Sequence, residues 1–172
     1  MRAFCGCQII PGDEGDPLLI RSAMRAKPRR FTFALPYGGH PNYSWWGMGN
    51  AKTVQVIRAA FAELSRLSGA KFVETASTSK ANIRVYFQNI ANGGQYEGNG
   101  KIKLSNQRKG VTPAIGRIFL IHEVMHYLGY KASPPADKFG HSRVPKEIFH
   151  AWGGPEFGPH FTAWMRAKYG AK

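Results

Sequence analysis

The sequence predicts an α+β fold, and two observations carry that prediction. Short segments alternate apolar and polar residues at strand spacing, and separate longer segments repeat apolar residues at helical spacing between start and stop signals. The 172 residues suit one core-bearing domain. Residues 1–28 read as an N-terminal arm ahead of a domain spanning 29–172. Residues 12–17 are turn-rich and acidic, 18–26 suit a short helix, and Pro28 closes the arm.

In the domain, Phe31, Phe33 and Leu35 alternate with Thr32 and Ala34 as a strand. Residues 36–50 form a loop rich in Gly, Pro and aromatics. Asn50 is placed to cap the next helix, where Val54, Ile57, Phe61 and Leu64 share one face. Lys52, Gln55, Arg58 and Arg66 fall away from it, and Gly69 is a natural stop. Strands follow over 71–75 and 82–87. In the second, Ile83, Val85 and Phe87 face one way and Asn82, Arg84 and Tyr86 the other. Residues 91–100 read as a flexible Gly/Asn loop. Residues 101–105 turn Ile102 and Leu104 inward, and outward Lys101 and Lys103 suit an edge strand. Thr112-Pro113 opens a helix that runs to Leu128 and stops at Gly129. Apolar residues cover nearly its whole circumference, which places it in the core. A last helix over 160–169 sets Phe161, Trp164 and Met165 on one side and ends at Gly170.

Composition narrows the function classes. No apolar run approaches the roughly 20 residues of a membrane helix. Residues 1–10, broken by Gly6 and Gln8, do not read as a secretory signal. Cytoplasmic synthesis is therefore expected, with use there, release by lysis or carriage in a particle. The net charge of +14 favours anionic partners such as nucleic acid, a cell-wall surface or acidic protein. Cys5 and Cys7 are too close for a good bridge, so a disulfide framework is excluded.

The chemistry concentrates in His122-Glu123-Val124-Met125-His126. Residues four apart on a helix lie about 40° from each other, so both imidazoles can reach one zinc ion at roughly 2.0–2.1 Å. Glu123, about 100° round the helix from His122, is placed to act as general base toward an activated water. Two histidines and a glutamate are costly on an apolar helix unless something pairs them. Gly129 lies three residues after His126, but Ala132, where a further ligand would follow, cannot bind metal. The residues leave the third ligand open among His141, Glu147, His150, His160 and Asp137.

From about Arg30 onward the order of elements resembles the matrixin-like branch of the metzincin zinc peptidases. The segment Ala81-Asn82-Ile83-Arg84-Val85-Tyr86-Phe87 is similar to that family's A-D-I-x-I-x-F strand, and His126-Tyr127-Leu128-Gly129 to its H-x-L-G. Gly140-His141-Ser142 resembles its His-Ser, set back by a proline-containing insertion over 130–139. The resemblance implies a mixed twisted sheet of about four to five strands, a long N-terminal helix, a central zinc-binding helix and a C-terminal helix. It implies Zn2+ held by His122, His126 and His141, with Glu123 catalytic and a protein or peptide as substrate. It places Phe149 where the family has the methionine beneath the metal. Lys101–Ser105 becomes the strand that pairs with substrate, and the wall after Phe149, including Trp152, shapes the pocket beyond the scissile bond. A latency cysteine is a further parallel for Cys5 and Cys7, but the usual Pro-Arg-Cys-Gly context is absent. Glu97 is the only carboxylate in 91–100, too few for a strong calcium loop.

Two rival classes remain. A basic virion protein, such as a phage structural or accessory component with an active or vestigial site, fits the charge and length. A nucleic-acid-binding module fits the charge but lacks a recognition motif, so specific nucleic-acid binding is not expected.

Overall fold

The computed structural model describes residues 29–170. The arm, its suggested helix and both cysteines lie outside the described residues. Five strands and three helices follow in the order β1 (Arg30–Ala34), α1 (Asn50–Leu67), β2 (Lys71–Glu74), β3 (Ile83–Gln88), β4 (Gly94–Tyr96), β5 (Lys101–Ser105), α2 (Pro113–Tyr127) and α3 (Pro159–Tyr169). The sheet order is β2-β1-β3-β5-β4. β2, β1, β3 and β5 run parallel, and β4 joins antiparallel through Gln95 opposite Lys103.

Alternation drives the core. Phe31 and Phe33 of β1 are buried on one side, where Phe33 stacks on Phe61 of α1 at 4.0 Å between centroids and Phe31 on Phe72 at 5.1 Å. Val54, Ile57, Phe61 and Leu64 of α1 are all buried, as their helical spacing predicts. Ile83, Val85, Ile102 and Leu104 are inaccessible to solvent, so the central strands present a continuous apolar floor to the helices. The aromatic loop before α1 is fastened to this core: the Tyr43 hydroxyl donates to the Val85 carbonyl at 2.7 Å, and Trp45 is fully buried.

Several expectations need correction. Asn50 does not cap α1. Gly49 holds the cap position, and the Asn50 amide turns back to donate to the carbonyls of Gly38, His40 and Tyr43. Gly69 is not a left-handed stop; Ser68 ends α1, and a side chain at residue 69 would strike the Tyr169 carbonyl at 2.1 Å. Lys101–Ser105 is not the edge strand, because residues 94–96 of the supposed loop form β4 outside it. Lys101 and Lys103 do not guard an open edge; both pair with Glu97 in the turn between β4 and β5.

α2 is framed at both ends. Thr112 Oγ1 accepts from Ile115 N at 3.3 Å with Pro113 in the first turn. At the other end Gly129 takes φ 74°, Gly129 N donates to His126 O, and Tyr130 N donates to Met125 O. This reciprocal closure uses a left-handed residue that glycine adopts without a Cβ clash. α3 packs on α1, and its Lys168 ammonium donates to the Leu128 carbonyl at 3.0 Å. Among the described residues, no helix is long and apolar enough to cross a membrane.

Candidate metal centre

The helix spacing of α2 turns His122 and His126 toward the segment that follows it, and His141 comes back to meet them. The three Nε2 atoms form a triangle with every side 3.2 Å. Zinc with three nitrogen ligands at about 2.0–2.1 Å in a tetrahedral arrangement would space them about 3.3 Å apart. The three histidines could therefore hold one metal ion. His122 and His141 are buried, while His126 is partly open to solvent.

Hydrogen bonds behind the rings fix their tautomers. His122 Nδ1 donates to the Ile148 carbonyl at 2.8 Å, and His141 Nδ1 donates to Asp137 Oδ2 at 2.7 Å. A neutral imidazole that donates from Nδ1 presents a bare lone pair at Nε2. Two such lone pairs 3.2 Å apart cannot hydrogen-bond to each other. A cation between them resolves the repulsion, and the carbonyl and carboxylate behind the rings are the usual supports of metal-binding histidines. Burial, then the neighbouring His141, pushes the His122 imidazole down to about 3. Burial, His122 and His141 likewise hold His126 well below the usual histidine range. Both rings are thus neutral, the form that ligates.

The segment before His141 builds the seat for it. Asp137 Oδ1 accepts from Phe139 N at 2.9 Å and His141 N at 3.2 Å, while Oδ2 accepts the hydrogen bond from His141 Nδ1. Ala132 N donates to Gly140 O and Ala136 N to His141 O, both at 2.8 Å, closing the loop on itself. Burial works to raise the Asp137 carboxyl, but its hydrogen bonds from His141 outweigh this and hold it below the usual aspartate range.

Glu123 is fully buried on the β4 side of α2. Tyr96 N donates to its Oε2 at 2.8 Å, and Gly94 packs so close that a Cβ there would lie 2.8 Å from Glu123 Cγ. Burial raises the Glu123 carboxyl to about 8 against the opposing pull of the Tyr96 amide. A cation seated on the imidazoles would draw it back down. Phe149 floors the site, its centroid 5.2, 4.7 and 5.4 Å from the rings of His122, His126 and His141. A planar aromatic ring thus fills the place where the resemblance expects methionine.

The other ligand candidates are engaged elsewhere. The Glu147 carboxylate accepts from the Ser142 hydroxyl, His150 Nδ1 accepts from Trp152 N at 3.3 Å, and His160 shares a 2.8 Å hydrogen bond with the Tyr130 hydroxyl. Asp137 stands behind His141 rather than in the triangle. Sequence reasoning missed the Tyr96 amide, the Ile148 carbonyl and this supporting role of Asp137. Backbone groups leave no residue-type signal, but an Asp four residues before a His in a proline-rich turn is one that could have been read.

Myroilysin has a similar fold. One crystal structure of it aligns with 96% of this chain and 90% of its own, with a TM-score of 0.61 and 14% identity. A second myroilysin structure aligns over 65% of this chain and 53% of its own, with a TM-score of 0.45 and 21% identity. At 14% identity the shared property is the fold, an α+β arrangement with a five-stranded mixed sheet. No family model and no curated protein matches the sequence.

Proposed function

We propose that this chain is a zinc-dependent endopeptidase, with zinc on His122, His126 and His141 and Glu123 as general base. The observation that carries the reading is the closed triangle of Nε2 atoms beside a buried carboxylate. When bound, zinc would supply a Lewis acid that lowers the pKa of water toward about 7 and polarises a peptide carbonyl.

The chain's own groups account for the rest. Glu123 takes a proton from the attacking water and delivers it to the departing amine, so the nitrogen leaves neutral. The Tyr96 amide holds Glu123 Oε2 and leaves the carboxylate one well-defined orientation. Burial excludes bulk water from that carboxylate and strengthens its electrostatic interactions.

Peptide is the substrate class that the open sheet edge suits. Gly93 O accepts from Ser105 N and Glu97 N donates to Lys101 O, so the odd positions face β5. The Gly94 backbone and the Tyr96 carbonyl therefore point the other way, along the edge beside Glu123, whose Oε2 accepts the hydrogen bond from Tyr96 N. An extended peptide can add there as a further strand with its carbonyl brought over the histidines. β4, not β5, is the strand in that position.

The test uses the full chain reconstituted with zinc. Casein or a peptide library should be cleaved, and Glu123→Gln should abolish cleavage while about one zinc per chain is retained. Undiminished cleavage by that variant would move the base elsewhere. Full zinc occupancy in a His122→Ala/His126→Ala variant would remove the site altogether.

A further inference from the structure

A cavity of about 320 Å³ opens on the N-terminal half of α2. Val111, Ile118, Phe119 and Trp152 form apolar walls, and Arg108 and Lys109 stand at its rim. Two of its lining residues, Phe119 and Trp152, lead toward the site. Phe119 lies one helical turn before Glu123 and packs directly on Gly93, the residue preceding β4. Trp152, about half exposed, follows shortly after Phe149, the ring that floors the imidazoles. The volume lies at the lower end of the range for small-ligand clefts and accommodates one large side chain.

Charge around the cavity is one-sided, since no Asp or Glu lines it. The Arg108 guanidinium lies 5.3 Å from the Phe119 centroid and the Lys109 ammonium 5.8 Å from that of Trp46. Arg58, Lys101, Lys103 and Arg117 pair with carboxylates, whereas Arg108 and Lys109 form no ion pair with a described carboxylate. An aromatic face steadies a cation without neutralising it, so both charges stay available to a ligand. The turn that carries them is fixed. The buried Ser105 Oγ accepts from Gln107 N at 3.3 Å and from Arg108 N at 3.1 Å.

We propose that this cavity selects an acidic substrate residue, glutamate or aspartate, immediately after the bond that is cut. The proposal rests on the endopeptidase reading above. β4 runs from Gly94 to Tyr96, and its Gly93 end adjoins the cavity. A peptide laid antiparallel on β4 carries the residues after its reacting carbonyl toward that end. The side chain's methylenes then contact Ile118 and Phe119, while its carboxylate meets Arg108 and Lys109 in charge-assisted hydrogen bonds. The net charge of +14 favours the approach of acidic peptides in general.

Two measurements test this. The zinc-loaded full chain is given peptides that differ only in the residue after the cut, as Glu, Gln, Leu or Lys. Glu should exceed Gln by at least about tenfold in kcat/KM, with Lys poorest. That ratio should fall to about one in Arg108→Gln/Lys109→Gln, whatever happens to the absolute rate, and survive in Arg108→Lys. A ratio near one in the unaltered chain, or an unchanged ratio in the double variant, overturns the proposal. In parallel, tryptophan fluorescence of zinc-loaded Glu123→Gln is titrated with the same peptides. The Glu peptide should bind about tenfold more tightly than the Gln peptide, with the difference lost when the two cations are removed. If no peptide is cut, the endopeptidase reading fails and the titration still decides the cavity. Equal binding of the two peptides then overturns acidic selection, and a retained difference supports it.

Discussion

In α2 the placement of His122 and His126 is set by backbone hydrogen bonds that repeat along the helix, from the Thr112 cap to the closure at Gly129. Residues 130–150 have no such repeat. His141 is placed there by an aspartate that binds its own turn at three points, and Phe149 is carried under the rings by irregular chain. Both regions bring Nε2 atoms to the same 3.2 Å triangle. The difference teaches that the helix half of the site depends on main-chain geometry, which most substitutions leave intact. The loop half depends on a few side chains, each of which can undo it.

The largest effect that sharpens this contrast is expected at Phe149. Its ring is buried and touches all three imidazoles. Phe149→Ala should cost about 3–5 kcal/mol of stability, read from denaturant unfolding of the metal-free protein, and should weaken zinc binding as well. Phe149→Met keeps most of the volume and should cost less than about 1.5 kcal/mol. Equal losses in the two variants would show that ring shape, rather than filled volume, supports the histidines.

Metal affinity separates the halves next. His126→Ala and His141→Ala each remove one nitrogen of three, and each should lower zinc affinity by more than any change behind the ligands does. Asp137→Ala removes only the support of His141, and a drop of about 10–100-fold is expected. Asp137→Asn can still accept the Phe139 and His141 amides through its oxygen, but its NH2 group donates where the imidazole also donates. It should therefore keep nearly the unaltered melting temperature and still lose zinc affinity. A competition titration with a chromophoric chelator checks both variants. Unchanged affinity in Asp137→Ala would mean that the loop backbone alone seats His141.

The same contrast explains what the sequence discloses. α2 is legible because its cap, its apolar periodicity, its histidine spacing and its terminal glycine are all local signals. His141 lies fifteen residues beyond His126 across irregular chain, so the residues alone leave it level with Glu147, His150 and His160. Only the family resemblance singles it out. β4 is illegible for a related reason. Gly94, Gln95 and Tyr96 offer no alternation, and the strand exists because the open side of β5 and the buried Glu123 accept its backbone. The lysines of β5 mislead because edge protection and pairing with Glu97 look alike in sequence.

The smallest expected effect probes the claim that α2 is held by its backbone. Thr112 supplies one side-chain hydrogen bond to the helix start, and its loss leaves Ile115 N to water or to a neighbouring carbonyl. Thr112→Ala should cost about 1 kcal/mol of stability, measured by denaturant unfolding. His122 and His126 lie near the far end of α2, where the Gly129 closure and the Lys168 bond to Leu128 O remain intact. Fraying of the first turn falls off within that turn, so zinc affinity should be unchanged. Thr112→Ser, which keeps the hydroxyl, should restore most of the lost stability. A fall in zinc affinity in Thr112→Ala would mean that the two halves of the site are coupled through the whole length of α2.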